Sequence, residues 1–215
     1  MKILVTGGVR SGKSRHAEEL MSSSQFQSGD PTSSESTSSE ATSSDSASTA
    51  LTPSEYPSTA FTSMAPTITY VAPGPTTDED TDPDWAHRIR AHQARRPAHW
   101  VTLETRDLAA ALRTPGPVLV DCLGTWLTAV LDERALWDAP SDEVVTTIRA
   151  LVDEATAILE TRDEVVLVTN EVGLGVVPEH RSGRLFRDLL GTVNQGFAAA
   201  CDEVHLVVAG RVLRL

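Results

Sequence analysis

Residues 7–14 form a glycine-rich stretch that matches the nucleotide-binding pattern G-x-x-x-x-G-K-[ST]. An apolar run precedes it and a helical pattern follows it, as the pattern requires. Glycines let backbone N–H groups turn towards phosphate oxygens, and a helix N-terminus adds partial positive charge. The stretch therefore predicts a site for a nucleoside triphosphate, although a glycine-rich turn without a chemical role is the alternative. Its residues are Gly7, Gly8, Val9, Arg10, Ser11, Gly12, Lys13 and Ser14.

Two side chains of this loop have specific expected roles. Lys13 would bring a compact positive charge to the outer phosphates, and the Ser14 hydroxyl would ligate Mg²⁺. The chain has 18 basic residues, but only Lys2 and Lys13 are lysines. Because the chain uses arginine at nearly every other basic position, the lysine at position 13 indicates a place where arginine does not serve.

Asp121 ends the apolar run that begins at Pro117. A carboxylate at that point can hold Mg²⁺, directly or through water, opposite a phosphate loop. The alternative is a helix cap for the residues that follow. Residues 121–124 also fit the D-x-x-G pattern of switch GTPases, but the sequence contains no N-K-x-D motif, which disfavours a pure switch.

His92 lies in a segment, residues 84–96, whose pattern predicts a helix with Trp85, Ile89 and His92 on one face. A neutral imidazole can attack phosphorus, and the nearby Arg95 and Arg96 can hold phosphate oxygens. Histidines on helix faces are usually packed or solvated, so the residues alone favour a structural role.

Apolar, β-rich runs alternate with helical patterns along the rest of the chain. Several runs are apolar on both faces, which is typical of a sheet covered on both sides. The alternation predicts an α/β domain with a mainly parallel sheet, which would bind ligands at the carboxyl ends of its strands. The predicted strands are residues 2–6, 67–72, 100–104, 117–121, 164–169, 204–208 and 212–215.

Residues 22–66 differ sharply in composition from the rest of the chain. Of these 45 residues, 23 are Ser or Thr, five are acidic and none is basic. Such a segment has too little apolar surface to offset the entropy of ordering it, so we expect a disordered insert within a single domain spanning residues 1–215. A tolerated loop expansion is the simpler interpretation, and a tether or partner tail is the alternative.

The net charge of −12 disfavours general binding to nucleic acid or to anionic membranes. The sequence contains no apolar stretch of the length that a membrane span needs. Two distant cysteines, Cys122 and Cys201, and the short apolar run at the start of the chain predict a reduced, cytoplasmic protein.

Together these motifs resemble the bifunctional adenosylcobinamide kinase and adenosylcobinamide-phosphate guanylyltransferase family of cobalamin biosynthesis. The resemblance covers essentially the whole chain outside the insert, with several long motifs in the right order. The segments that carry it are residues 3–18, 69–72, 88–89, 92, 96–100, 118–123, 167–179, 186–188, 193–195 and 200–210.

The resemblance implies a P-loop, RecA-like α/β fold with helices on both faces of the sheet, often assembled as a homotrimer with active sites between subunits. It also implies two reactions. The γ-phosphoryl group of ATP or GTP moves to the aminopropanol hydroxyl of adenosylcobinamide. A histidine then takes GMP from GTP and passes it to the phosphorylated corrinoid.

Residue roles follow from the same resemblance. His92 would be the guanylylated nucleophile, whereas Ala91 stands where members often carry a second histidine. Pro73 replaces a usual Thr or Ser, which puts one hydroxyl contact in doubt. The remaining residues implied to bind GTP are Ala72, Gln93, Ala94, Arg95, Arg96, Glu104 and Asp121, with Pro73 beside Ala72.

Two alternatives remain open: a guanylyltransferase without the kinase step, and a nucleotide-binding assembly protein without covalent chemistry. The glycine-containing stretch at residues 170–175 is interpreted equally well as a substrate or interface loop and as a tightly packed turn. Structural roles are favoured for His16, His99, His180 and His205.

Overall fold

A computed structural model describes residues 1–23, 67–76, 78–79 and 82–215. Within these ranges, strands and helices alternate, as the sequence predicts. The elements are β1 (Lys2–Gly7), α1 (Lys13–Ser22), β2 (Thr69–Ala72), α2 (Pro83–Arg95), β3 (Val101–Glu104), α3 (Leu108–Leu112), β4 (Val118–Asp121), α4 (Leu123–Glu133), α5 (Ser141–Leu159), β5 (Val165–Val168), α6 (Arg181–Ala200), β6 (Glu203–Val208) and β7 (Arg211–Arg214).

The strands form one sheet in the order β3-β2-β4-β5-β1-β6-β7. All neighbouring pairs are parallel except β6 and β7, which are antiparallel. The prediction of a mainly parallel α/β sheet is therefore confirmed. The observed ends of the strands differ from the predicted ones by one or two residues, as is usual where strand ends fray.

The core has two apolar clusters, one on each face of the sheet. Alternate residues of β1 show this division, because Leu4 packs into one cluster and Ile3 and Val5 into the other. Helix α1 covers the face of Ile3 and Val5, whereas α3, α4, α5 and α6 cover the opposite face. All four residues of β5 are buried, which explains its continuous apolar sequence.

The position of β5 determines where the site forms. β5 lies between β1 and β4, so the carboxyl ends of these three parallel strands meet at one edge of the sheet. The loop after β1 carries the glycine-rich motif, β4 ends at Asp121, and Asn170 follows β5 closely. Ligands of open α/β sheets bind at this edge.

The predicted insert at residues 22–66 lies outside the described residues, apart from its first two. Ser22 is the last residue of α1, and Ser23 caps that helix by donating its backbone N–H to the Leu20 carbonyl at 3.1 Å. Among the described residues, no helix has the length and apolar character of a membrane span.

Candidate functional site

The glycine-rich loop at residues 7–14 wraps tightly against the end of the sheet. A Cβ atom on Gly7 would come within 2.4 Å of the Val207 carbonyl oxygen, so only glycine fits there. Gly12 has a φ of +99°, in the left-handed region that favours glycine. The turn between β6 and β7 supports the loop, because Gly210 donates its N–H to the Ser11 carbonyl at 2.8 Å.

Lys13 and Ser14 begin α1 and line one cavity at the carboxyl edge of the sheet. The Lys13 ammonium donates to the Gly8 carbonyl at 3.2 Å, which holds the side chain over its own loop. The cavity has a solvent-accessible volume of about 150 Å³ and lies directly beside the glycine-rich loop. The loop and its cation are thus arranged to receive phosphate groups.

Asp121 is the most enclosed charged group of this cavity, with a side chain 8% exposed. Its Oδ2 accepts a hydrogen bond from the Tyr70 hydroxyl at 3.1 Å. The His92 Nδ1 lies 3.6 Å from the same oxygen, which is longer than a normal hydrogen bond. Burial alone would raise the pKa of the Asp121 carboxyl, but His92 and the Ser14 and Tyr70 hydroxyls together lower this pKa, so the carboxylate is ionised at neutral pH.

Helix α2 brings His92, Gln93 and Arg96 to the opposite side of the cavity. Asp82 caps the start of this helix by accepting from the Asp84 N–H at 2.9 Å. The guanidinium carbon of Arg96, the C-cap residue, lies 3.4 Å from the centroid of the Tyr70 ring. The predicted histidine and one predicted arginine therefore face the predicted carboxylate across one cavity.

Arg95 lies on another side of α2. Its Nε and one Nη nitrogen each donate to Glu18 of α1 at 3.2 Å, in a two-point ion pair. The Glu18 side chain is only 11% exposed, so this pair is partly desolvated. Arg95 therefore attaches α2 to the helix that follows the glycine-rich loop.

Of the 17 predicted site residues, eight line the cavity and nine do not. Within the glycine-rich loop, residues 7–12 lie outside the lining, and Lys13 and Ser14 belong to it. The lining includes Ala72 after the second strand and Glu104 at the end of β3. Pro73 is buried, Ala94 is exposed, and neither these two residues nor Arg95 line the cavity. The predicted residues that line it are Lys13, Ser14, Ala72, His92, Gln93, Arg96, Glu104 and Asp121.

Sequence reasoning assigned no role to several lining residues. Tyr70 lies in the segment 69–72 that carries the resemblance, and Asn170 begins the stretch 170–175 that was interpreted as a substrate loop or a packed turn. The position of Asn170 just beyond a parallel strand is the signal that could have given it a role. The additional lining residues are Tyr70, Gly74, Pro75, Thr76, Trp85, Ile89, Cys122, Thr125 and Asn170.

Cys122 is a second potential nucleophile in the cavity. Its side chain is buried and lies 3.5 Å from the Thr125 hydroxyl. Burial and the adjacent Asp121 carboxylate raise the pKa of the Cys122 thiol. Because the thiolate is the reactive form, Cys122 is a poor nucleophile in this setting.

The stretch after β5 is tied to the glycine-rich loop at its start. Glu171 donates its N–H to the Gly7 carbonyl at 3.1 Å, and Arg187 donates to the Gly173 and Gly175 carbonyls at 2.6 and 3.0 Å. Close to these glycines, Leu174 and Val176 are 87% and 94% exposed. The structure thus combines a fixed backbone with exposed aliphatic side chains.

Two of the other histidines form an interior contact. His16 of α1 and the buried His205 of β6 face each other at 2.8 Å between Nε2 and Nδ1, and His205 Nε2 lies 2.8 Å from Glu203 Oε2. Burial and His205 lower the pKa of His16. This chain joins α1 to the sheet, which agrees with a structural role.

Comparison with known proteins gives consistent matches along the chain. The sequence model of the cobinamide kinase / cobinamide phosphate guanyltransferase family matches residues 53–215. The chain is 37% identical over 225 residues to the bifunctional adenosylcobalamin biosynthesis protein CobU of Salmonella typhimurium, covering 98% of this chain and 97% of that protein. It is 34% identical to the CobU protein of Escherichia coli over 98% of this chain and 97% of that protein. It is also 34% identical to the bifunctional adenosylcobalamin biosynthesis protein CobP of Pseudomonas aeruginosa, covering 98% of this chain and 94% of that protein.

Proposed function

The chain belongs to the cobinamide kinase / cobinamide phosphate guanyltransferase family, and we propose that it catalyses two successive reactions in the cavity lined by Lys13, Asp121 and His92. In the first, the γ-phosphoryl group of ATP or GTP moves to the aminopropanol hydroxyl of adenosylcobinamide. In the second, GMP from GTP joins the resulting phosphate, giving adenosylcobinamide-GDP and pyrophosphate. The observation that carries the proposal is the convergence of a phosphate loop, a buried carboxylate and a histidine on one cavity.

In the phosphoryl transfer, the glycine-rich loop would hold the triphosphate through its backbone N–H groups and Lys13. Negative charge develops on the outer phosphate oxygens as the bond to the leaving nucleotide breaks. Lys13 lies at the mouth of the loop and would stabilise that charge. The hydroxyl of the corrinoid arm would attack from the open side of the cavity.

The residues around Asp121 suit a magnesium ion. The Ser14 hydroxyl approaches the Asp121 carboxylate, and hydroxyl and carboxylate oxygens are ligands that Mg²⁺ prefers. The low pKa of Asp121 keeps this carboxylate charged and ready to bind a cation. When bound there, Mg²⁺ would neutralise phosphate charge in both reactions.

In the guanylyl transfer, His92 would attack the α-phosphorus of GTP. The Nδ1 atom faces Asp121 at 3.6 Å, which leaves Nε2 as the nucleophilic nitrogen. The Nε2 lone pair forms an N–P bond as the P–O bond to pyrophosphate breaks. A phosphate oxygen of the corrinoid then attacks the same phosphorus, and the N–P bond breaks to restore the imidazole.

Three lining residues would hold the nucleotide during this exchange. Arg96 would hold phosphate oxygens while pyrophosphate leaves. Glu104 is exposed at the end of β3, where its carboxylate can accept hydrogen bonds from the N–H groups of guanine. Gln93, next to the histidine, adds an amide that can both donate and accept.

We also propose that the protein assembles as a homo-oligomer, for which the family resemblance implies a trimer, and works in the cytoplasm. Exposed aliphatic residues support assembly, because Leu213 and Leu215 in the C-terminal region are 57% and 72% exposed. Two free cysteines, Cys122 and Cys201, support a reducing compartment. The charge of −12 argues against a nucleic-acid partner.

The proposal is tested by incubating the protein with Mg²⁺ and GTP labelled at the α-phosphate. We expect label on the protein that is lost in acid and kept in mild alkali, as a phosphoramidate would be. With γ-labelled ATP, label should pass to adenosylcobinamide. A GMP adduct without phosphoryl transfer to adenosylcobinamide would favour a guanylyltransferase that lacks the kinase step. Tight GTP binding with neither the adduct nor phosphoryl transfer would favour the nucleotide-binding assembly protein.

A further inference from the structure

Tyr70 contacts two oppositely charged groups of the cavity at once. The side chain lies in the middle of β2 and is 1% exposed. Its hydroxyl donates to Asp121 Oδ2 at 3.1 Å, and the face of its ring lies 3.4 Å from the guanidinium carbon of Arg96. One buried ring therefore holds an anion at its hydroxyl and a cation on its face.

Both contacts are of a kind that fixes a partner in place. A hydroxyl that donates to a carboxylate forms a charge-assisted bond, stronger and more directional than a neutral one. The negative face of an aromatic ring attracts a guanidinium that stacks on it.

Neighbouring groups restrict the ring and the arginine further. Trp100 packs beside Tyr70, with 6.5 Å between the ring centroids. Arg96 also donates to the Thr102 hydroxyl of β3 at 2.9 Å, which holds the guanidinium on the ring. Tyr70 belongs to β2 and Arg96 is the C-cap residue of α2, so their contact joins the sheet to the helix that carries His92.

We propose that Tyr70 is a positioning residue that sets the separation between Asp121 and Arg96, and so aligns the carboxylate side of the cavity with the phosphate-holding cation. The proposal rests on the function proposed for this cavity. Asp121 would bind the metal ion and face His92, whereas Arg96 would hold the GTP phosphates. Losing the hydroxyl should therefore affect chemistry, and losing the ring should also affect nucleotide affinity.

Two substitutions separate these effects. Tyr70→Phe keeps the ring beneath Arg96 and removes only the bond to Asp121. We expect it to slow adduct formation about ten-fold while the Kd for Mg·GTP stays within about two-fold. Tyr70→Leu removes both contacts, and we expect it also to weaken Mg·GTP binding by about ten-fold.

A double-mutant cycle on Mg·GTP binding tests the link to Arg96. Arg96→Ala should weaken binding in the native protein but have little further effect in the Tyr70→Leu background, because the guanidinium has already lost its support. Ile3→Val is the matched control, since it perturbs the same apolar cluster from β1, three strands away from β2, and leaves both Tyr70 contacts intact. It should leave the Kd and the adduct rate near their native values.

Three results would each overturn the positioning role: additive losses in the cycle, equal effects of Phe and Leu at position 70, or the same losses from Ile3→Val. Native protein that binds Mg·GTP but forms neither adduct nor phosphorylated corrinoid would instead overturn the proposed function. The binding cycle would still decide the role of Tyr70, because it does not depend on turnover.

Discussion

The two sides of the cavity are held in place in different ways. The glycine-rich loop is fixed by backbone hydrogen bonds, from Gly210 to the Ser11 carbonyl and from Glu171 to the Gly7 carbonyl. Helix α2 on the other side is attached mainly by side chains. Its attachments are Arg95 to Glu18, His92 to Asp121, Arg96 to Tyr70 and Trp85 to the Pro75 carbonyl.

Because the two sides are held differently, they can contribute differently to the two proposed reactions. A loop held by its backbone offers a fixed binding surface for phosphates, which both reactions need. In the proposed mechanism, a helix held by a few side chains would supply the nucleophile His92 and its neighbours, which only the guanylyl transfer needs. Substitutions in the loop should therefore impair both reactions, whereas substitutions on α2 should separate them.

The largest effect is expected for Lys13→Ala. Both reactions place a triphosphate in the same loop, so both should slow by about 10²- to 10³-fold when its cation is lost. Lys13→Arg should also fail, because a planar guanidinium cannot replace a compact ammonium inside the closed loop. The measurement for both variants is the initial rate of phosphoryl transfer and of guanylyl transfer.

Lys2→Ala is the matched control for the lysine change. Lys2 is the other lysine of the chain and pairs with Asp202 at 3.8 Å, away from the cavity. Its loss should leave both rates near native values. Native rates in Lys13→Ala would show that the loop is not the site of either reaction.

The next largest effect separates the two reactions. His92→Asn keeps a polar side chain of similar size but has no nucleophilic ring nitrogen, so the GMP adduct should be absent. Phosphoryl transfer needs no covalent intermediate and should stay within about ten-fold of the native rate. His99→Asn, an exposed change just beyond α2, should alter neither reaction.

Peptide mapping of the labelled protein after mild alkaline treatment would locate the GMP group. We expect it on His92 and on no other histidine. Label on His16, His87 or His99 would contradict the assignment.

The same difference in construction explains how far the sequence alone could lead. The glycine-rich loop is contiguous, and its roles follow from backbone chemistry, so the residues themselves predicted a phosphate site. The role of Asp121 could also be inferred from the sequence, because the residue ends an apolar strand. The role of His92 could not, since a histidine on a helix face is common, and only resemblance to a family singled it out.

Tyr70 and Glu18 show what sequence reasoning missed. Their contacts join residues 51 and 77 positions apart, Tyr70 to Asp121 and Glu18 to Arg95. No local spacing connects such pairs, and each residue has an ordinary place in a strand or helix pattern. Arg95 was expected to bind GTP from its position beside Arg96, and that role remains a prediction alongside its observed pair with Glu18.

A smaller effect is expected from Glu18→Gln, which keeps the volume of the side chain but removes the charge paired with Arg95. Loosening α2 should slow adduct formation by about five-fold, because the nucleophile is held less well, and should affect phosphoryl transfer less. Glu154→Gln removes the partner of Arg113 in an exposed pair at 3.8 Å and is the control. Equal slowing of both reactions would contradict attachment of α2 as the cause.

The smallest effect is expected from shortening the chain between α1 and β2. The predicted insert spans residues 22–66, but α1 extends through Ser22 and is capped by Ser23, so the change should begin at residue 24. Replacing residues 24–66 by a linker of about ten residues halves the connection about twice, which changes the closure entropy by roughly 1 kcal/mol. GTP affinity should therefore stay within a few-fold of the native value, and the free energy of unfolding should change little.

The family match sharpens this last test, because it begins at residue 53, inside the predicted insert. A second variant should therefore remove only residues 24–52. If residues 53–66 are part of the insert, both variants should fold and bind GTP alike, as measured by denaturant unfolding and by Mg·GTP titration. If only the longer deletion loses its cooperative unfolding, residues 53–66 belong to the domain and the insert ends before the family match begins. Loss of folding in both variants would show that the segment after Ser23 contributes to the core, because a change in loop closure of this size is too small to unfold a domain of typical stability.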